Sequence, residues 1–164
     1  DMIASVTVEL DAQETGGSLF DKLQDAGAQL CVETMKSIED GTAVYTAQDN
    51  EIATHTKMIQ KSLGKINWSL SAVQIERLIR GLNPWPSAYT NLNGKTFKIW
   101  KAQVVRNNNE YRPGCIYHIG KNDMYVQTGD GALSLLEVQL QGKKRMDTGS
   151  FLRGYKLEEG TFIG

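Results

Sequence analysis

The 164-residue sequence holds few of the residues on which disulfide-rich and zinc-binding domains depend. It has two cysteines, Cys31 and Cys115, and two histidines, His55 and His118. The cysteines lie far apart, and neither belongs to a Cys-x-x-Cys motif or a Cys/His cluster. The sequence therefore argues against a disulfide framework and against a metal site. We expect both cysteines to be plain buried thiols.

Long apolar runs are also missing. No stretch approaches the ~20 apolar residues that a membrane-spanning helix requires. The opening segment DMIASVTVEL is not basic, and no signal-peptide core follows it. We therefore expect no membrane span and a cytoplasmic location. Because Asp1 leads directly into a strand-like pattern, we also expect the chain to begin inside a longer protein.

Groups for acid–base catalysis are scarce as well. His55 lies in a polar segment and His118 in a predicted strand. Neither has a serine, a cysteine or a carboxylate at a recognisable catalytic spacing. The sequence therefore predicts no catalytic residue in this chain.

Charge is divided unevenly along the chain, although the net charge is only −1. Residues 1–56 hold 11 acidic and 2 basic side chains, a net charge of −9, whereas residues 57–164 hold 8 acidic and 16 basic ones, a net charge of +8. This asymmetry indicates two domains, of which the second has a polyanionic partner. The alternative is chance clustering of charges on solvated faces.

The acidic part predicts one strand and one long helix. Apolar and polar residues alternate over residues 2–10, as in a half-buried strand. Ser18 can cap a helix that ends before Gly41. The apolar residues of this helix fall near one face: Leu19, Leu23, Ala26, Leu30 and Ile38. Since both apolar faces need a cover, we expect residues 1–40 to pack on a neighbouring copy or on upstream polypeptide.

A linker and a second helix follow. Residues 42–65 have no sustained period and become basic at their end. Ser71 and Gln74 form a capping box in front of apolar residues at helical spacing, which predicts a helix start. Gly81 and the segment 83–86, Asn-Pro-Trp-Pro, should end this helix, because neither proline can continue it.

The tryptophan between the two prolines allows two interpretations. An aromatic residue in such a position more often packs as a wedge, and we favour that role for Trp85. The alternative is that Trp85 stacks on an unpaired base, as aromatic side chains beside basic grooves do.

Five short strands are predicted after the second helix, at residues 88–92, 96–105, 115–119, 124–128 and 132–140. Turn sequences separate them, among them Asn93-Gly94 and Gly129-Asp130-Gly131. The second of these resembles half a phosphate loop, but no helix follows it, which favours a hairpin turn. The pattern predicts an α+β fold with an oligonucleotide-binding (OB)-like open β-barrel behind an N-flanking helix.

Several motifs resemble those of the methionyl-tRNA formyltransferase family. Residues 66–90, INWSLSAVQIERLIRGLNPWPSAYT, and residues 98–102, KIWKA, are similar to the opening of the family's carboxy-terminal domain. RPGCI, TGDGAL and GKKRM follow at residues 112–116, 128–133 and 142–146 in the family's order and spacing. In the acidic part, SLFDKL at residues 18–23 resembles the end of the family's formyltransferase domain.

The resemblance implies a domain order and an activity. Residues 1–41 would be a strand-helix remnant of the α/β catalytic domain, residues 42–65 the linker, and residues 66–164 the tRNA-binding domain. The family's catalytic motifs precede the matched part, so no catalytic residue is carried over. The full enzyme would transfer a formyl group from 10-formyltetrahydrofolate to the amino group of initiator methionyl-tRNA. Its N-terminal catalytic domain would belong to the same longer chain.

We predict that tRNA phosphates bind to one basic surface of the second part. Lys143, Lys144 and Arg145 are its centre, because three adjacent positive charges favour an anion opposite them; a solvated basic loop is the alternative. The surface is predicted to consist of Lys61, Lys65, Lys98, Lys101, Lys143, Lys144 and Arg145. Two rival functions remain: the barrel of another formyltetrahydrofolate-using enzyme, and a non-catalytic oligonucleotide-binding module.

Overall fold

The computed structural model describes residues 1–106 and 110–164 and divides into two compact units, residues 1–58 and 59–164. Residues 59–65, which the sequence analysis assigns to the linker, belong to the second unit. Within the described residues, no helix has both the length and the apolar character that a bilayer span requires. In the same part of the chain, no three His, Cys, Asp or Glu side chains gather where a metal ion could bind.

Helix α1, Gly16–Glu39, forms most of the first unit. Its cap is Thr15 and not Ser18: Thr15 Oγ1 accepts from the Ser18 N–H at 3.1 Å, and Ser18 Oγ accepts from the Thr15 N–H at 3.0 Å. Because the cap is Thr15, the helix includes Gly16 and Gly17, which a cap at Ser18 would leave outside it. The helix ends as predicted, because Gly41 follows with a φ of +68°.

The strand predicted over residues 2–10 is wrong. Met2 and Thr46 form an isolated antiparallel bridge, with N–O distances of 2.7 and 2.9 Å, and residues 3–10 lie outside any helix or strand. A strand needs a neighbour that accepts and donates its backbone hydrogen bonds. Among the described residues, this segment has that single bridge.

The prediction of two buried thiols is also wrong. Cys31 is exposed on α1, and Cys115 is half-buried in front of the third strand. All residues of α1 are described and none is buried. Cys31 therefore has no core to enter within its own unit.

The second unit opens with two short helical segments. A 3₁₀ helix, Lys61–Gly64, leads into the first strand's edge, where the Ile66 N–H donates to the Tyr89 carbonyl at 2.8 Å. Helix α2, Ala72–Gly81, begins with the predicted capping box, in which Ser71 Oγ accepts from the Gln74 N–H at 3.3 Å. It buries Ala72, Ile75 and Ile79 in the core. Gly81 is its last residue and does not itself stop it.

The five predicted strands are present and form an antiparallel sheet. They are β1 Ala88–Leu92, β2 Lys95–Val105, β3 Ile116–Ile119, β4 Met124–Gln127 and β5 Ala132–Leu140, in the order β1-β2-β5-β4-β3. Two elements that were not predicted follow: strand β6, Met146–Asp147, which pairs with β5, and helix α3, Thr148–Gly154. Among the described residues β1 does not pair with β3, so the α+β prediction is confirmed with an open sheet. The outer edge of β1 bonds to Lys65 and Ile66, and that of β3 to Gly160 and Thr161.

The turn between β4 and β5 anchors the start of α2. The Gly129 N–H donates to the carbonyls of Trp68 and Leu70, both at 2.9 Å, and the Ala72 N–H donates to the Asp130 carbonyl at 2.8 Å. Because β4 and β5 pair directly on either side of it, Gly129-Asp130-Gly131 is the predicted hairpin turn and not a phosphate loop.

Candidate nucleic-acid interface

The outer face of β2 and β5 is organised around Trp100. The Lys98 ammonium lies 5.4 Å and the Arg145 guanidinium carbon 4.7 Å from the centre of its ring. The indole N–H donates to Gln139 Oε1 at 3.2 Å. Cations at such distances from an aromatic face are attracted by its electron density. Two of the predicted basic residues are therefore held against one half-buried ring.

The alternation of β2 explains why these side chains lie outside the core. Phe97 and Ile99 are buried, whereas Lys98 and Trp100, which alternate with them along the strand, are half-exposed. An irregularity in the pairing with β5 at residues 99–102 shifts the register where Trp100 lies. Such bulges re-aim side chains at the surface of a sheet.

Arg145 is neutralised within the fold. Its Nε and Nη2 groups donate to the two carboxylate oxygens of Glu137 at 2.6 and 2.5 Å. These hydrogen bonds, opposed by partial burial, raise the pKa of Arg145 above its usual range. Glu137 of β5 thus supplies one of the negative charges that the Lys143-Lys144-Arg145 triplet was expected to attract. Arg145 therefore indicates an external anion less strongly than the sequence suggests.

Lys143 and Lys144 remain as exposed charges beside this pair. Their turn is fixed to the same strand, because Gln139 Nε2 donates to the Lys143 carbonyl at 2.9 Å and the Lys143 N–H donates to the Leu140 carbonyl at 2.9 Å. Within residues 1–106 and 110–164, neither ammonium group forms an ion pair. These two lysines are available to a polyanion.

The other predicted lysines lie on neighbouring segments. Lys65 bridges Tyr89 of β1, and Tyr89 pairs with Lys98 across the β1–β2 ladder. Lys101 pairs with Glu137 across the β2–β5 ladder and is exposed. Lys61 is exposed on the 3₁₀ helix that leads into Lys65. Side-chain contacts through Trp100 and Gln139 join Lys98, Lys143 and Arg145. Lys65 and Lys101 are connected to this group through backbone pairing, with Tyr89 and Glu137.

Three side chains that organise this face were not predicted from the sequence. Glu137, Gln139 and Trp100 each contact a predicted basic residue or its turn, yet none was named as part of the surface. A signal was present, because Lys98 and Trp100, like Glu137 and Gln139, are spaced by two residues on their strands. Only the register of β2 against β5 shows that these two pairs are neighbours.

Trp85 is not the predicted packing wedge. Its side chain is 58% exposed, whereas Pro86 and Ser87 after it are buried. Pro86 therefore provides the packing that we assigned to the tryptophan. The turn is tied to the interface, since Asn83 Nδ2 donates to the Trp100 carbonyl at 3.2 Å.

The family comparison agrees with the second unit. The family described as "Formyl transferase, C-terminal domain" matches residues 58–156. Among curated relatives, the methionyl-tRNA formyltransferase of Agathobacter rectalis is 74% identical over 163 residues, and that of Lachnospira eligens is 50% identical over 169 residues. The matches cover 99% and 100% of this chain but 53% and 54% of those proteins. The chain thus spans about half the length of the curated relatives it matches.

Solved structures share the fold at low identity. HypX from Aquifex aeolicus in complex with tetrahydrofolic acid matches with a TM-score of 0.54 and 17% identity, over 83% of this chain and 26% of that one. WlaRD, a sugar 3N-formyl transferase, matches with a TM-score of 0.56 and 17% identity, over 82% of this chain and 47% of that one. Since the family match covers more than half of the sequence, the chain belongs to the formyl transferase C-terminal domain family.

Proposed function

We propose that this chain is the C-terminal part of a methionyl-tRNA formyltransferase and supplies its tRNA binding. The observation that carries the proposal is the basic face of β2 and β5, where Lys98 and Arg145 lie against Trp100 beside the exposed Lys143 and Lys144. The second unit holds 15 basic and 8 acidic side chains. A face of this kind suits a phosphate backbone, which makes affinity dependent on salt.

In this proposal the longer protein transfers a formyl group from 10-formyltetrahydrofolate to the amino group of initiator methionyl-tRNA. The bond from the formyl carbon to the folate nitrogen breaks, and an amide bond forms between that carbon and the methionine nitrogen. The amino group loses a proton, and a proton takes the place of the formyl group on the folate nitrogen, which leaves tetrahydrofolate. The names of the curated relatives support the reaction, and the tetrahydrofolic acid bound to HypX supports the co-substrate. The catalytic residues would lie in the other half of the longer protein. Its cytoplasmic location stays a prediction.

We further propose that residues 1–41 belong to the catalytic domain, 42–65 to the linker and 66–164 to an OB-like tRNA-binding domain. The exposed apolar side chains of α1 support the first assignment: Phe20, Leu23, Val32, Met35 and Ile38. Burying each would contribute roughly 1.5–3 kcal/mol. We propose that upstream polypeptide of the longer protein covers these side chains, because the relatives are about twice as long as this chain.

Salt-dependent tRNA binding tests the basic surface. If about five phosphates are neutralised, log affinity should fall against log salt concentration with a slope of about −4. Lys143→Ala with Lys144→Ala should weaken binding of all tRNAs alike and reduce the slope by about 2. Lys121→Ala with Lys156→Ala is the matched control, since both lysines are exposed in the same unit and the charge change is equal.

Two results would contradict the proposal. A flat salt response of the unmodified protein would mean that phosphates are not what it binds. Equal losses in the Lys143/Lys144 variant and in the control variant would mean that only net charge matters, and that the face around Trp100 is merely solvated.

Formylation assays separate the rival functions. The longer protein should formylate methionyl-tRNA, whereas the 164-residue chain alone should produce nothing. The fold shared with WlaRD keeps the alternative of a sugar formyltransferase open, and formylation of an amino sugar nucleotide but not of tRNA would favour it. Binding of oligonucleotides without formyl transfer by the longer protein would favour a non-catalytic module.

A further inference from the structure

We infer that Trp85 is a stacking residue, which receives an unpaired base of the nucleic acid whose phosphates lie on the basic face. The inference rests on the proposed function, because it assigns a second contact to the same partner. The contact at Trp85 differs in chemistry from the phosphate contacts, because it is formed by an aromatic ring and not by a charged group.

The three tryptophans of the chain have different surroundings. Trp68 is 5% exposed, and its indole N–H donates to Thr90 Oγ1 at 3.1 Å. Trp100 is half-buried and donates to Gln139. Trp85 is 58% exposed, and within the described part of the chain its indole forms no hydrogen bond. Tryptophan is enriched among the residues that contribute most to binding, and an exposed indole is free to make such a contact.

The fold does not need this indole for its own packing. Leu82 and Pro86 on either side of the turn are buried, and the Ser87 N–H donates to the Leu82 carbonyl at 2.9 Å, which closes the turn. Asn83 ties the turn to the Trp100 carbonyl. The exposed ring is therefore presented by a backbone that is fixed on both sides. A fixed contact residue loses little conformational entropy when a ligand binds.

The position of the turn decides which ligand it suits. The strand segment to which Asn83 is bonded carries the ring against which Lys98 and Arg145 lie. An aromatic face next to cations is the arrangement with which proteins bind unpaired nucleotides, where the bases stack and the phosphates meet the charges. Every base has a π-face, so this contact should tolerate different bases.

Two substitutions in the longer protein test the inference. Trp85→Ala should weaken tRNA binding about tenfold, the lower part of the range for one lost stacked base. Trp85→Phe should retain most of the affinity, because it keeps an aromatic face. Neither should change the salt slope, which distinguishes stacking from the loss of a phosphate contact. Val73→Ala is the control, since Val73 is also exposed and lies in the preceding helix.

Intrinsic fluorescence provides a second readout. Addition of tRNA should quench the emission of the exposed Trp85 and protect it from acrylamide. Trp85→Phe should remove this part of the change and leave only the smaller response of the half-buried Trp100. Thermal unfolding of each variant should stay within a few degrees of the unmodified protein, since the indole is exposed.

The outcomes are separable from those of the proposed function. If the unmodified protein binds tRNA with the expected salt slope but Trp85→Ala binds equally well, the stacking inference is wrong and the proposed function stands. If tRNA does not bind at all, both are wrong. Lost formyl transfer with unchanged tRNA affinity and unquenched emission would mean that Trp85 contacts upstream polypeptide, which overturns the inference.

Discussion

Gly64 packs so closely against β1 that one added methyl group should destabilise the second unit. A Cβ at this buried glycine would lie 2.1 Å from the Ser87 carbonyl oxygen and 3.2 Å from Cδ1 of Tyr89. Ordinary van der Waals contact begins at 3.4 Å. Since the Ser87 atom belongs to buried backbone, it cannot rotate away, and the 3₁₀ helix would have to move from the strand.

The cost of Gly64→Ala follows from what that movement disrupts. Overpacking of a closely packed site costs about 1–3 kcal/mol. Displacement of the chain also weakens the hydrogen bond from the Ile66 N–H to the Tyr89 carbonyl, which contributes about 1 kcal/mol. We expect a loss of about 2–4 kcal/mol in the free energy of unfolding, and a midpoint lowered by roughly 10 to 25 °C.

Tryptophan fluorescence during urea unfolding measures this loss, because Trp68, Trp85 and Trp100 all lie in the second unit. Two other glycines provide controls. Gly81 ends α2 with open space around it, so Gly81→Ala should stabilise by about 0.5–1 kcal/mol. Gly94 has open space but a φ of +78°, so Gly94→Ala should cost only about 1–2 kcal/mol, from backbone strain.

The order of these three variants is the test. If Gly64→Ala unfolds at the same urea concentration as the unmodified protein, the 3₁₀ helix does not pack on β1 as described. If all three variants lose similar stability, glycine is required for conformational freedom throughout, and the crowding argument fails.

Three further predictions concern single side chains. Thr90→Val should cost about 1–3 kcal/mol, because it leaves the buried indole N–H of Trp68 without its acceptor, and urea unfolding measures this. Glu137→Gln should strengthen tRNA binding and steepen its salt dependence, since it removes a negative charge from the basic face; weaker binding would contradict this. The hydrogen bond from Lys22, with smaller contributions from Ser18 and the Asp11 backbone, lowers the pKa of Glu14 from 4.5 to about 2. The lowered value means that stability from this group is present above pH 4.5 and is lost as the pH falls towards 2, and an NMR titration of Glu14 with a midpoint near 4.5 would contradict it.

Local chemistry was enough to predict most elements of the second unit. Ser71 and Gln74 cap α2 as the sequence indicates, and Asn93-Gly94 turns β1 into β2. Such features depend on residues a few positions apart, so they can be recognised without knowledge of the fold. The same is true of the charge division, which indicated two parts before any contact was known.

Predictions that depended on distant partners were less successful. Alternation over residues 2–10 indicated a strand, but a strand forms only where another strand pairs with it. Within the described parts of the chain this segment has one bridge, at Met2. The two prolines indicated a packed Trp85, yet the turn buries Pro86 in its place. Local pattern does not reveal which side of a turn faces the core.

The sequence by itself determined the family, the α+β class, the strand positions and the basic character of the second part. Tertiary structure alone decided that Arg145 pairs with Glu137, that Lys98 and Arg145 lie against Trp100, and that Lys143 and Lys144 remain free of ion pairs among the described residues. The physical reason is the register of β2 against β5, which brings together side chains about 40 positions apart. Charge and hydrophobic pattern are properties of the chain, whereas the partner of each charge depends on how the strands align.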